Sequence, residues 1–239
     1  MSNIGTLYLV PNLLGAVAPE HVLPEYVCAT VRHLEHWAVE TPKPARAFLK
    51  SLNMARAIAD LSIRTLPEKN NHAELDALLA ICQAGNDLGV LSDAGCPGIA
   101  DPGAFLVARA HQHSIPVRPL VGPSSIVLAL MAAGMNGQRF AFHGYLPVAE
   151  NDRADALRRL EHDSRKNDRA TQIFIETPYR NAALLKTAVQ TLRDATLLCV
   201  AVDLTLPSES VISQPVRLWR QRDFAAYQKR PAIFLLQSA

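Results

Sequence analysis

The stretch Val90-Leu-Ser-Asp-Ala-Gly-Cys-Pro-Gly-Ile-Ala-Asp-Pro-Gly103 decides the fold, and a second stretch, Pro119-Leu-Val-Gly-Pro-Ser-Ser125, repeats its pattern. In both stretches a short apolar strand ends in a loop of Gly, Pro, Ser and Asp, and an apolar helix follows. Ligands of open α/β sheets bind outside the carboxyl ends of the strands. The two loops therefore predict neighbouring strand ends that form the floor of a small-molecule site.

The composition is that of a globular protein without a global charge signal. The chain has 239 residues, enough for two compact domains, and 49% of them are hydrophobic. The 24 basic and 22 acidic residues leave a net charge of +2, which gives no indication of nucleic-acid binding. Only a local cluster of basic residues could indicate such binding. The four cysteines are far apart and form no CxxC pair, which favours reduced thiols in a cytosolic protein over a disulfide frame or a zinc site.

Neither a signal peptide nor a membrane span is expected, so the sequence predicts a cytoplasmic protein. The N-terminus lacks a basic region, and the longest apolar run, 126–135, is far below the roughly 20 residues that span a bilayer. The chain contains no dinucleotide-binding GxGxxG turn, no P-loop and no GxSxG elbow. His111 and His113 are predicted to point to different faces of one helix, so no metal site is expected.

Strand and helix alternate through the first half, which predicts parallel strands joined by crossover helices. The segment Thr41-Pro-Lys-Pro44 is expected to be loop, because two prolines cannot continue a strand ladder. Asp101 is expected to be the N-cap of the helix predicted over 103–113. Strands are predicted over 6–10, 37–40, 64–67, 87–91 and 116–121, and helices over 24–34, 45–60, 73–83 and 103–113.

The second half is predicted to form a further α/β domain. Strands are expected over 139–143, 171–175, 197–202, 211–216 and 233–237, and helices over 126–133, 153–164 and 181–192. The proline- and glycine-bounded connection at 119–123 predicts a linker. It would separate an N-terminal α/β domain over 1–118 from a C-terminal α/β domain over 124–239.

Two groups of basic residues stand out from the otherwise balanced charge. Lys43, Arg46 and Lys50 line up on one face of the helix predicted over 45–60. They form either an ordinary solvated face or a phosphate-contacting edge beside the site. The second group has only Asp223 to balance it and consists of Arg217, Arg220, Arg222, Lys229 and Arg230.

Several strand-end residues allow both a structural and a functional interpretation. The loop 92–97 offers a carboxylate and small residues for close backbone approach, but it is also a well-made strand-to-helix turn. Glu176 followed by Arg180 favours a functional site, since a fixed arginine is more than a plain turn needs. Tyr145 is either a stacking contact or a half-buried tyrosine at a domain interface.

Five loops, taken in order, resemble the tetrapyrrole methylase superfamily of S-adenosylmethionine-dependent methyltransferases. They span 11–15, 92–103, 119–125, 142–147 and 174–180. The chain is most similar to the branch that methylates a cytidine ribose 2′-hydroxyl in small-subunit ribosomal RNA. The resemblance implies a mainly parallel N-terminal sheet, a mixed C-terminal sheet, a donor site in the cleft between the two domains, and a homodimer.

The resemblance also implies which residues contact the donor. These are Leu14, Gly15, Asp93, Ala94, Gly95, Cys96, Gly122, Ser124, Ser125, Ile126, Glu176, Ala201, Pro231 and Ala232. Contacts to the acceptor are expected from Lys43, Arg46, Tyr145 and Arg180. Methyl transfer to a hydroxyl benefits from a base within hydrogen-bond reach. Glu40 is the first candidate for this base, and Asp101 is the second.

Three departures from the RNA-methylating branch bear on the acceptor. The branch carries Ala-Glu-Asp-Thr-Arg where this chain has Val39-Glu-Thr-Pro-Lys43. Lys69-Asn-Asn71 replaces a His-Asn-Glu cluster, and Arg230-Pro231 replaces a glycine-glutamate pair. Three hypotheses therefore stay open: an RNA methyltransferase, a methyltransferase of a small molecule such as a tetrapyrrole-like metabolite, and a protein that binds the donor without turnover.

Overall fold

A computed structural model describes residues 4–67 and 71–239 of the chain. The chain forms two compact units, Met1–Ser124 and Ser125–Ala239. The predicted linker at 119–123 lies at the end of the first unit. Each unit holds a five-stranded sheet, parallel in the first and mixed in the second. The expected fold class, two α/β units with these two kinds of sheet, is confirmed.

The first unit is a parallel sheet with helices on both faces, in the strand order β3-β2-β4-β1-β5. Because all neighbours run in the same direction, their carboxyl ends meet at one edge. The strands are β1 (Leu7–Val10), β2 (His36–Val39), β3 (Ser62–Thr65), β4 (Leu88–Leu91) and β5 (Val117–Pro119). The helices are α1 (Glu25–Arg32), α2 (Pro42–Ser51), α3 (His72–Gln83) and α4 (Ala104–Gln112), with single turns at Pro19–His21 and Ile58–Asp60.

Both faces of this sheet are buried, as expected of parallel strands. Trp37 and Leu91 pack with α1 and α2 on one face, while Leu88 and Val90 pack with α3 and α4 on the other. Gly89 at the centre of the sheet has a packing reason, since a Cβ there would lie 2.6 Å from the Trp37 ring. The sheet is therefore held by tight packing on both sides, and its carboxyl edge is left for the loops.

The predicted loop at 41–44 is wrong, because Pro42 begins α2. Proline suits the first position of a helix, where its missing N–H leaves no hydrogen bond unmade. The helix ends at Ser51, and Asn53 adopts a left-handed φ of 54°. The predicted continuation to residue 60 is therefore also wrong.

The predicted helix cap at Asp101 is wrong as well. Gly103, with a φ of 130°, occupies the N-cap position of α4, and the helix begins at Ala104. Asp101 therefore lies two residues before the N-cap, in the loop after β4. A carboxylate that looked like a helix cap is left without a capping role.

The second unit is a mixed sheet in the order β6-β7-β10-β8-β9. Only β6 and β7 pair in parallel, and the remaining pairs are antiparallel. The strands are β6 (Phe140–Tyr145), β7 (Thr171–Ile175), β8 (Leu197–Val202), β9 (Ser210–Pro215) and β10 (Ala232–Gln237). The helices are α5 (Ser125–Ala133), α6 (Glu150–Lys166), α7 (Asn181–Thr191) and α8 (Val216–Trp219), with single turns at Pro178–Arg180 and Phe224–Tyr227.

Two aromatic groups anchor the core of the second unit. The Phe174 and Phe234 rings stack with centroids 5.8 Å apart, and the buried Trp219 indole N–H donates to the Leu198 carbonyl at 2.8 Å. Within residues 4–67 and 71–239, no helix is both long and apolar enough to cross a membrane.

Candidate active site

Asn12 joins the first two predicted site loops at the carboxyl edge of the parallel sheet. Its backbone N–H donates to the Gly95 carbonyl at 2.8 Å. Its buried side-chain amide donates to the carbonyls of Ser92 and Asp93 at 2.9 and 3.0 Å. The loop after β1, with Leu14 and Gly15, is thereby fixed against the loop after β4, with residues 93–96.

The loop after β5 joins the same group. The Cys96 thiol lies 3.5 Å from the Pro123 carbonyl, and a Cβ on Gly95 would lie 3.5 Å from Leu14. A Cβ on Gly122 would approach Pro11 to 2.2 Å, so only glycine fits there. Within the first unit, the structure therefore brings together the loops that carry the predicted donor contacts Leu14, Gly15, Asp93, Ala94, Gly95, Cys96, Gly122 and Ser124.

Ser125 and Ile126, also predicted donor contacts, begin α5 and belong to the second unit. Their role stays a prediction. The Cys96 thiol is not activated, because burial and the Asp101 charge both raise its pKa above the ordinary value. It therefore stays a neutral thiol and is not a candidate nucleophile.

Three carboxylates lie near one another at this edge. Glu40, directly after β2, accepts a hydrogen bond from the Asp93 N–H at 2.9 Å. Burial, together with the smaller effects of the negative charges of Glu40 and Asp93, raises the pKa of Asp101 to about 6. Asp101 thus changes its protonation state close to neutral pH, as a general base requires.

Asp101 also lines a cavity of about 280 Å³, which we call the Asp101 cavity. Its other lining residues include Leu66, Leu75, Phe105 and Leu106. The cavity lies beside the ends of β3 and β4 and is bounded by the first turns of α3 and α4.

The basic face predicted from the sequence is present on α2. Lys43, Arg46 and Lys50 are exposed, and none forms an ion pair within the described parts of the chain. Helix α2 begins two residues after Glu40, at the carboxyl edge of the sheet. The two predicted acceptor contacts Lys43 and Arg46 therefore lie on the same edge as the carboxylates.

In the second unit, the strand pairing gathers the predicted contacts Glu176, Ala201, Pro231 and Ala232 at one edge. Because β10 runs opposite to β7 and β8, its first residues lie beside their ends, with Ile233 paired to both Ala201 and Ile175. Glu176 follows β7, and its side chain is completely buried.

Glu176 is bound on one carboxylate oxygen only. Its Oε1 accepts from Arg180 Nε at 2.9 Å, from Arg180 Nη2 at 2.7 Å and from the Thr177 N–H at 2.7 Å. Its Oε2 is buried and has no hydrogen-bond partner among the described residues. The guanidinium of Arg180 is therefore occupied by Glu176, and its predicted contact to the acceptor stays a prediction.

Two predictions about the second unit are wrong. The predicted basic patch is divided among structural contacts: Arg220 pairs with Asp194 at 2.6 Å, Arg230 pairs with Asp203 at 2.8 Å, and Arg222 lies over the Trp219 ring. Tyr145 is 61% exposed and not half-buried. It is therefore open to a stacking partner.

Sequence reasoning missed Asn12 and Phe105. An asparagine directly after a strand is a common turn residue, and nothing local shows that its amide reaches a loop 80 residues away. Phe105 looks like an ordinary apolar residue of a helix. Among the described residues, no cluster of His, Cys, Asp and Glu could hold a metal ion, and the four cysteines are free thiols.

The chain is similar in sequence to known methyltransferases. The family model of Tetrapyrrole (Corrin/Porphyrin) Methylases matches residues 27–218. The ribosomal RNA small subunit methyltransferase I of Escherichia coli O157:H7 is 32% identical over 213 residues, which are 89% of this chain and 70% of that protein. The protein of the same name from Pasteurella multocida (strain Pm70) is 33% identical over 222 residues, 92% of this chain and 74% of that protein.

The fold is also that of solved methyltransferases. The methyltransferase CobJ has a TM-score of 0.63 at 17% identity, covering 98% of this chain and 95% of that one. Uroporphyrin-III-C-methyltransferase of Thermus thermophilus has a TM-score of 0.57 at 19% identity, covering 97% and 94%. Another structure of that enzyme, at a TM-score of 0.52, contains S-adenosylhomocysteine. By sequence match and by fold, this chain belongs to the tetrapyrrole methylase family.

Proposed function

We propose that this protein is an S-adenosylmethionine-dependent methyltransferase that acts on RNA of the small ribosomal subunit, at a ribose 2′-hydroxyl. The observation that carries the proposal is the group of three loops at the carboxyl edge of the parallel sheet, two of them joined by Asn12 and the third by the contact of Cys96 with Pro123. The names of its relatives support the acceptor, and S-adenosylhomocysteine in the Thermus enzyme supports the donor.

Each unit, taken by itself, has a buried polar atom that could bind part of such a donor. Glu176 Oε2 and Ser92 Oγ are both buried without a hydrogen-bond partner among the described residues. Buried polar atoms of this kind require a partner, and the amino and hydroxyl groups of S-adenosylmethionine supply hydrogen-bond donors and acceptors. When bound, S-adenosylmethionine supplies a methyl group on a positively charged sulfur.

The geometry favours Asp101 as the base and Glu40 as a positioning residue. Asp101 makes no ion pair within the described residues and has a raised pKa, so it is free to take the proton of the acceptor hydroxyl. Glu40 is engaged by the Asp93 N–H and thereby fixes the loop at 93–96. As the acceptor oxygen bonds to the methyl carbon, the bond from carbon to sulfur breaks and Asp101 receives the proton.

The acceptor is held by charge on α2. Lys43 and Arg46 carry exposed positive charges beside the carboxylates, and phosphate groups of RNA are their natural partners. Tyr145, exposed at the end of β6, offers a ring for stacking. We further propose that the protein acts as a homodimer in the cytoplasm.

A second candidate is methyl transfer to a small molecule. The altered stretch 39–43 favours it, since this stretch is where the chain departs from the RNA-methylating branch. A third candidate, donor binding without turnover, rests on the same departure. Asp101 and the unpaired α2 charges argue for a working acceptor site, and for this reason we place the RNA methyltransferase first.

Two measurements test the proposal. Calorimetry with S-adenosylmethionine tests the donor site, and the absence of binding at millimolar donor would contradict all three candidates. Transfer of tritiated methyl groups to small ribosomal subunits from a strain that lacks ribose methylation tests the acceptor. Label that appears in small molecules and not in RNA would favour the second candidate.

A further inference from the structure

The Asp101 cavity has an apolar floor, and a solvent-exposed aromatic side chain forms part of its wall. Leu75 and Leu106 at its floor belong to the core and are 1% and 0% exposed. Phe105, the neighbour of Leu106 on α4, also lines the cavity but is 52% exposed. Single exposed apolar residues are ordinary, but an exposed ring on the wall of a cavity that also holds Asp101, which has no ion pair among the described residues, indicates a ligand.

The size of the cavity limits what it can hold. A volume of about 280 Å³ lies just below the range of about 300–1,000 Å³ that is typical of sites for drug-sized molecules. One flat ring system of the size of a nucleobase fits this space, whereas a macrocycle of four pyrroles does not.

The cavity lies at strand ends that neighbour the start of helix α2, which carries the basic residues. In the sheet, β3, β2 and β4 are neighbours. Leu66 follows β3, Glu40 follows β2, and Asp101 lies in the loop after β4, so the cavity and the carboxylates occupy three adjacent strand ends. Helix α2, with Lys43 and Arg46, starts from the middle one of these ends.

We propose that the Asp101 cavity receives the unstacked base of the RNA nucleotide that accepts the methyl group, and that Phe105 is the ring on which this base stacks. The inference rests on the proposed function and deepens it. RNA-binding proteins recognise unpaired bases by stacking them on aromatic side chains, and enzymes that modify nucleotides take their target out of the stack. A base in this cavity leaves its sugar beside Asp101 and its phosphates toward α2.

The backbone of α4 complements the edge of a base. Gly103 at the N-cap has no side chain to accept from the first N–H groups of the helix. Gly103 and Ala104 line the cavity, and the first N–H groups of a helix have no partner within the helix, so we expect them to donate to acceptor atoms of the base. In this proposal Phe105 determines which acceptor the protein selects, and it is separate from the loop at 93–96 that is predicted to contact the donor.

The first test replaces the ring. Methyl transfer to unmethylated small ribosomal subunits is measured for wild type, Phe105→Ala and Phe105→Tyr, together with calorimetry of S-adenosylmethionine. Loss of one base stack corresponds to about 5- to 150-fold weaker binding. Phe105→Ala is expected to raise the KM for subunits by about tenfold with donor affinity unchanged, and Phe105→Tyr to restore it to within about twofold.

Tyr26→Ala is the matched control. Tyr26 is an equally exposed aromatic residue, 54% exposed on α1, and it does not line the cavity. Its replacement is expected to leave the KM for subunits unchanged. An equal rise in KM for Tyr26→Ala and Phe105→Ala would contradict a specific role for Phe105.

The second test fills the cavity. Ala104 is exposed at the first position of α4, so Ala104→Trp places a large ring in the cavity without disturbing the core. We expect at least a tenfold loss of transfer to subunits, with the melting temperature and the donor affinity unchanged. Free nucleosides are expected to inhibit transfer by wild type, and a uroporphyrin macrocycle is not.

The outcomes separate this inference from the proposed function. If wild type neither binds the donor nor methylates subunits, the proposed function fails. If wild type methylates subunits but Phe105→Ala and Ala104→Trp do so equally well, only the base-binding role of the cavity is overturned. Inhibition by the macrocycle and not by nucleosides overturns it too.

Discussion

The charged side chains at the carboxyl edge of the parallel sheet differ in their ion pairing from those at the corresponding edge of the mixed sheet. In the first unit, Asp101, Lys43 and Arg46 form no ion pairs within the described residues. In the second unit, Arg180 is bound to Glu176 and Arg230 to Asp203. Charges of the first kind are free to meet a substrate, and charges of the second kind hold loops in place.

The difference has an energetic reason. A charge that is taken out of water is tolerated only when a partner and further hydrogen bonds compensate for its lost hydration. Asp203 is 8% exposed and has such partners, whereas Asp101 has none among residues 4–67 and 71–239, and its pKa is raised. We therefore expect Asp101, with its raised pKa and its place on the cavity wall, to be the carboxylate that acts as the base.

The largest expected effect is that of Asp101→Asn. We expect methyl transfer to fall by about 10²- to 10⁴-fold, the usual contribution of a general base, with donor affinity retained. In wild type the rate should rise with pH up to about 6 and then level off, since the base acts when it is deprotonated. A single-turnover pH profile measures this, and an Asn variant with the wild-type rate would contradict it.

Asp101→Asn should also stabilise the fold at neutral pH. The folded-state pKa of Asp101 lies above the ordinary value of 3.8, so the folded state holds the proton more tightly than the unfolded state. Stability from this group is therefore present at low pH and is lost as pH rises through about 6. We expect the variant to gain about 1 kcal/mol at pH 7, measured by urea unfolding.

The second largest effect is expected from Asp203→Ala in the mixed sheet. The change leaves Arg230 without its carboxylate and places alanine at a φ of 51°. We expect a loss of about 2–3 kcal/mol in the free energy of unfolding. Asp194→Ala, which removes an exposed pair with Arg220, is the matched control and should cost less than about 1 kcal/mol. Equal losses would remove the distinction between the two pairs.

A smaller effect is expected when the free charges of α2 are removed. The double variant Lys43→Ala, Arg46→Ala should raise the KM for ribosomal subunits roughly tenfold and lower the salt dependence of binding, since each phosphate contact to single-stranded RNA contributes a slope of about 0.7. Lys186→Ala, an exposed lysine on α7, is the control. An unchanged salt dependence in the double variant would show that α2 does not contact phosphates.

The smallest effect is expected from Glu40→Gln. Glutamine can still accept from the Asp93 N–H, so the rate at neutral pH should change by only about threefold. The pKa of Asp101 should fall, because one of the charges that raise it is gone, and the pH profile should move to lower pH. Glu35→Gln, at an exposed pair with Arg56, serves as control. A loss as large as that of Asp101→Asn would identify Glu40 as the base.

Local chemistry explains which features could be predicted from the sequence. The strand at Thr171–Ile175 appears with the predicted bounds, because a β-branched apolar run is a local signal. The predicted start of α2 is wrong, because the same prolines that break a strand are well suited to begin a helix. Local sequence offered both possibilities, and the surrounding fold selected one.

The sequence by itself determined the two sheets, the strand-end loops and the family, since these follow from alternation, turn residues and motifs within single segments. Only the tertiary structure decided that Asn12 joins two loops 80 residues apart and that Asp101 is a desolvated carboxylate and not a helix cap. The reason is that burial and charge proximity depend on groups from several strands. No single segment of the chain carries that information.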